Sequence, residues 1–179
     1  MARRYTWRDG VDLVGAALRV WLGVQWFHAG IGKVGNPAWT GDHAGAAVTG
    51  FLKGALAKTA GEHPDVQPFY ASFIQHFALP HAKLMSFLVA YGEVLVGIGL
   101  VLGALTTFAL IAGALMNLNY MLAGTVSVNP MWFTVAVILL FIGTTGRFGV
   151  DGLWRYLRRR ATPATEGGEP GTRVDKAAA

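Results

Sequence analysis

Three polar residues, Arg19, Glu93 and Asn117, fall inside stretches that are otherwise hydrophobic. A charged side chain at the centre of a bilayer costs ~2.5–3.5 kcal/mol on insertion scales, so each charge needs a partner, a watery cavity or a function. A helical rise of ~1.5 Å per residue puts Arg19 roughly 10 Å in from Asp12, and Glu93 and Asn117 each roughly 16 Å in from Ala104 and Thr106. A long arginine side chain closes that gap, and the expected arrangement is an Arg19–Glu93 ion pair with Asn117 as its amide neighbour. Two roles stand open for these three candidate catalytic residues. The pair fixes helix register and nothing more, or Glu93 exchanges protons with, or hydrogen-bonds to, a ligand held between the helices.

Gln25, His28, Asn119 and Tyr120 fall nearer the opposite end by the same gauge. As a group they offer donors that would receive a quinone carbonyl, which makes them the candidate cofactor-binding set. A lone histidine near a helix end is more often satisfied by neighbours or water, so His28 counts only through this coincidence. Lys33 reads most simply as a snorkelling interface lysine. His43, His63, His76 and His81 show no HExxH or other tight ligand spacing, so no metal site is expected. Zero cysteines excludes thiolate nucleophiles, cysteine-ligated clusters and covalently attached c-type haem. The chain also lacks a dinucleotide fingerprint, a P-loop and a nucleophile elbow. Any electron carrier is therefore borrowed, diffusible, or bound without a readable motif.

The elements that must hold these residues are membrane helices. The 179 residues are 53% hydrophobic and 14% charged, with mean hydropathy +0.42, which is a membrane composition. Arg19, Gly23, Trp26, Gly30 and Lys33 follow a ladder of i, i+4, i+7, i+11 and i+14, so they share one inward-looking helix face. The expected fold is all-α, an integral membrane four-helix bundle with spans at about 13–33, 84–104, 106–124 and 130–147. Gly99 and Gly103 form a GxxxG pair suited to tight helix packing. Between the first two spans, Val48, Phe51, Leu52, Ala55 and Leu56 make one helical stripe, and Phe69, Tyr70, Phe73, Ile74 and Phe77 make another. These predict two short amphipathic helices in an outer loop, on the membrane surface or as a lid.

Three arginines precede the first span and five lie between Arg147 and Arg160, while residues 34–83 balance three lysines against three acids. Both termini are then expected in the cytoplasm of a multi-pass cell-membrane protein, with the lipid bilayer rather than nucleic acid explaining the basicity. Trp154 and Tyr156 among arginines read as an interfacial anchor, and residues 161–179 as a disordered tail following a 1–160 transmembrane domain.

The residues resemble the DoxX/DoxD family of small four-helix membrane proteins over about Leu18 to Tyr156. The supporting pieces are the Arg19 to Lys33 ladder, NPAW at Asn36 to Trp39, GEVLVGIGLVLGALT at Gly92 to Thr106, MNLNYMLAGT with SVNP at Met116 to Pro130, and GRFGVD at Gly146 to Asp151. The long outer loop is more similar to the DoxD branch, which includes the membrane subunit of thiosulfate:quinone oxidoreductase. That resemblance implies a quinone-linked redox subunit oxidising thiosulfate to tetrathionate, with membrane quinone as non-covalent cofactor and a separate small or soluble redox subunit as partner. A dianion binder is expected to present excess positive charge, which this outer loop lacks. A partner chain would then supply it. The alternative is a non-catalytic membrane anchor or assembly partner for a soluble redox or sulfur-transfer enzyme.

Overall fold

The computed structural model describes residues 6–143 and 147–161. Helix α1, Trp7–Val34, starts well before the expected span because the Asp9 carboxylate accepts from the Thr6 N–H, satisfying a donor at the helix start. It buries Asp12, Gly15, Arg19, Leu22, Gly23, Trp26 and Gly30, the predicted inward face. Two short helices follow, α2 at Ala46–Leu56 and α3 at Pro68–Phe73, the latter continuing into a wide π turn at Ile74–Ala78. The remaining helices are α4 Ala82–Leu102, α5 Thr106–Leu122, α6 Asn129–Ile142 and α7 Val150–Ala161. All regular structure among the described residues is helical. Helix α1 packs on α4, α4 on α5, α5 on α6 and α6 back on α1, which closes a four-helix ring.

Register between α1 and α4 is set by glycine. A Cβ on Gly23 would come within 2.8 Å of the Val101 backbone nitrogen, and one on Gly30 within 2.6 Å of the Val94 nitrogen. From the other side, a Cβ on Gly97 would lie 2.5 Å from the Phe27 nitrogen. The two backbones touch in antiparallel sense, as small residues allow. The Gly99–Gly103 pair does not form this seam. Gly103 instead ends α4 in the left-handed conformation, φ 65°, as a C-terminal glycine does.

Of the four expected spans, the helix lengths bear out one plainly. By length and composition, α4 is the one described helix long and apolar enough to cross a membrane, while α5 and α6 are apolar but shorter. Their 17 and 14 residues cover roughly 26 and 21 Å at ~1.5 Å per residue, against a hydrocarbon core of ~30 Å. Helix α6 stops at Ile142 rather than Arg147 because Gly143 turns it at φ 68°. The proposed tail lies outside the described residues except for Ala161, which closes α7.

The loop helices form a lid with its own core of Val48, Leu52, Ala55, Val66, Tyr70, Ile74 and Ala78. The α2 stripe packs inward as expected. The second stripe splits: Tyr70 and Ile74 are buried, whereas Phe69, Phe73 and Phe77 remain exposed. Tyr70 bolts the lid to α5 by donating to the Asn119 carbonyl and side-chain oxygens, at 3.0 and 3.1 Å. Burial pushes its phenol up to about 12, so it stays a donor. Lys58 adds a bond from Nζ to the Gly124 carbonyl, 2.6 Å.

At the opposite end, Asp151 is a latch. Its carboxylate accepts from the Leu105 and Thr106 N–H groups at 2.9 and 2.8 Å, satisfying donors at the start of α5, and its own N–H donates to the Gly103 carbonyl. Partial burial opposes ionisation, but these hydrogen bonds outweigh it and hold the carboxyl below its usual range. Asp151→Ala is expected to lose about 1 kcal/mol at neutral pH, the usual cost of removing such a cap. Because the folded carboxyl is depressed, this stabilisation is present above the unfolded-state value and disappears as pH falls through the folded one. Thermal melts of the two proteins should therefore differ at pH 7 and converge in strong acid. A constant gap across that range excludes the ionised latch.

Candidate functional site

Beneath the lid lies a cavity of about 500 Å³ between α1, α4, α5 and the start of α6. Its walls are mostly apolar and aromatic, with Trp26, Trp39, Phe51, Tyr70, Phe73 and Trp132 among them. Trp26 and Trp132 meet edge to face at 5.3 Å between centroids, and Phe51 meets Tyr120 the same way at 6.0 Å. Into this apolar space project Lys33 from the last turn of α1, Glu93 from the middle of α4 and Tyr120 from the last turn of α5.

These three form one network. Lys33 Nζ donates to Glu93 Oε2 at 2.5 Å and to the Ala29 carbonyl at 3.2 Å, and the Tyr120 hydroxyl donates to Glu93 Oε1 at 2.7 Å. Each carboxylate oxygen thus has a donor. Glu93 is 2% exposed, while the Lys33 side chain keeps 22%, and the Trp39 ring lies 5.2 Å from its Nζ. A buried carboxylate is tolerable when paired and hydrogen-bonded in this way. The arrangement provides an ammonium and a phenol, coupled through one carboxylate, beside a space sized for a flat organic ring.

The expected Arg19–Glu93 pair does not form. Close approach at Gly23, Gly30 and Gly97 places Arg19 beside the last turn of α4, and brings Lys33 to the level of Glu93. Arg19 donates instead to the Leu100 and Phe148 carbonyls, both at 2.8 Å, with Asp151 as its electrostatic counterpart. It satisfies a terminal helix carbonyl and complements the helix dipole, a structural role far from the cavity. Asn117 is fully buried on α5, does not line the cavity, and has no hydrogen-bond partner for either amide atom among the described residues.

The second predicted set also divides. Tyr120 and Asn119 line the cavity, although Asn119 is engaged by Tyr70 and by the Leu115 carbonyl. Gln25 and His28 do not line it; His28 is exposed, with its ring against Phe27. The residue that sequence reasoning misplaced is Lys33. Its signal was present, since it closes the inward ladder that begins at Arg19, but a lysine near a helix end also reads as an interface residue. Among the described residues there is no group of three or more histidines, aspartates or glutamates placed to hold a metal ion.

Fold and site together define a small helical bundle with a lidded apolar cavity and a buried ionic network at its wall. A DoxX family profile matches residues 15–129, and the chain belongs to the DoxX family. That family is membrane-associated, in keeping with the apolar, spanning-length α4. Comparison with curated proteins and with solved structures gives no match.

Proposed function

We propose that this chain is a multi-pass protein of the cell membrane, a quinone-linked redox subunit that takes a quinone ring into the cavity beneath the lid. The observation that carries this reading is the Lys33–Glu93–Tyr120 network at the wall of an aromatic cavity of about 500 Å³. Such a volume is within the range of small-molecule sites, which pair apolar walls with a few placed polar groups. The bundle exterior supports the membrane setting: Leu95, Phe108 and Phe141 are 67, 70 and 87% exposed, an outer surface suited to lipid. With four helices in the bilayer both termini would share one side, and the arginines near them favour the cytoplasm for it.

Lys33 Nζ would orient a ring carbonyl, the Lys33 ammonium and the Tyr120 phenol hold the exchangeable protons beside it, and Glu93 accepts from both beneath the lid. The quinone, when bound, supplies the electron acceptor: two thiosulfates joining through a new S–S bond as tetrathionate release two electrons, which with two protons convert quinone to quinol. Lys33 is the cavity-lining cation, already matched by Glu93, so the thiosulfate dianions are taken to react on a partner chain.

Purified protein should carry quinone detectable by lipid extraction and mass spectrometry, and added quinone should raise its melting temperature. Tyr120→Phe is expected to fold and to weaken that protection roughly 10-fold in quinone concentration, the effect of one lost hydrogen bond near a charged group. Absence of quinone from the preparation, together with no thermal protection, defeats the binding claim. Retained activity of a co-purifying soluble oxidoreductase after Glu93→Gln, but not without this chain, assigns an anchoring role instead.

A further inference from the structure

The end of the bundle opposite the cavity carries a second recess, about 910 Å³, between the first turns of α1, the end of α6 and the length of α7. Four arginines line it, Arg8, Arg147, Arg155 and Arg159, against Asp12 as its acidic lining residue. Arg147 bonds to Asp12 and Asp9, which fixes that guanidinium in place. Two aromatic residues, Trp7 and Tyr156, share the lining. The remaining wall is apolar, made by Val11 and Ile142.

We propose that this recess binds the phosphate-bearing headgroup of an anionic phospholipid. Charge argues for an anion, since the four guanidiniums exceed the carboxylates of Asp12 and Asp9 that Arg147 binds, and arginine pairs with phosphate oxygens through parallel N–H bonds. Two features argue for lipid as its source. The apolar part of the lining sits on helices that carry exposed apolar residues at the same end: Val14, one turn on from Val11, is 60% exposed, and Phe141, on the last turn of α6, is 87% exposed. An acyl chain would follow that surface while the headgroup stays among the arginines. Moreover, α7 buries none of its residues and exposes Leu153, Trp154 and Leu157 on one side, with Arg155 and Arg159 on the other. That is the pattern of a helix lying in a membrane interface. The Asp151 latch holds it there. The inference depends on the membrane setting but on nothing in the cavity beneath the lid.

The test uses full-length protein in detergent, titrated with phosphatidylglycerol, phosphatidylcholine or inorganic phosphate and read by native mass spectrometry and thermal shift. Phosphatidylglycerol should bind in preference to phosphatidylcholine, and millimolar inorganic phosphate should not displace it. Arg155→Gln with Arg159→Gln changes only exposed positions, so folding, checked by the melting temperature without lipid, is preserved. Two arginines near an anionic surface contribute enough that the double variant should bind phosphatidylglycerol roughly 30-fold more weakly. Equal binding of the two lipids, or an unaffected double variant, overturns the site. Displacement by inorganic phosphate overturns the lipid and leaves a free-anion site. If the double variant melts early without lipid, Arg8→Gln in the first turn of α1 takes its place, with the same lipid preference expected to fall.

Discussion

Gly97→Leu is expected to leave no stable bundle. The Cβ alone would lie 2.5 Å from the Phe27 nitrogen and 2.7 Å from its Cα, both backbone atoms that cannot rotate away. Overpacking a core commonly costs ~1–3 kcal/mol where side chains can shift, and here the only relief is separation of α1 from α4. The loss should exceed about 3 kcal/mol, a large part of the 5–15 kcal/mol typical of a folded domain. Gly32→Ala supplies the control, because nothing lies within 4 Å of a Cβ there and alanine is the better helix former. Thermal unfolding and size exclusion in detergent should show an aggregated or early-melting Gly97→Leu beside a Gly32→Ala at least as stable as wild type. A Gly97→Leu protein with the wild-type melt would mean that α1 and α4 do not meet along this seam.

The second large effect separates the two roles of the buried carboxylate. Glu93→Leu removes the acceptor of both Lys33 and Tyr120, leaving an ammonium and a phenol beside an apolar cavity. Breaking one side of a buried pair typically costs 3–5 kcal/mol; with Lys33 partly exposed, about 3 kcal/mol is expected. Lys33→Met combined with Glu93→Leu should recover most of that loss, since an apolar replacement of a whole buried pair is often neutral. The coupling energy from this double-mutant cycle should be well above the few tenths of a kcal/mol seen for independent sites. Quinone protection should remain absent from the double variant even though its stability returns. If stability and quinone protection return together, the network serves register alone; if the cycle is additive, the pair itself is not formed in solution.

Much of this protein is readable one helix at a time. The inward face of α1, the start of α6 at Asn129-Pro130 and the two lid helices all follow from local periodicity and turn chemistry. The cost of burying Glu93 also follows from the chain, and with it the requirement for a cationic partner. Choosing that partner does not. Arg19 and Lys33 lie on the same face of α1, fourteen residues and roughly 21 Å apart at ~1.5 Å per residue, and either satisfies the pattern. The choice depends on how far α1 slides along α4, and that is settled where Gly23, Gly30 and Gly97 let the backbones touch. Once those contacts are made, Lys33 stands opposite Glu93, Arg19 is left to the carbonyls of Leu100 and Phe148, and the ligand-sized space opens at the lid end. Periodicity repeats identically along a helix and so carries no register; only the packing of two particular surfaces supplies it.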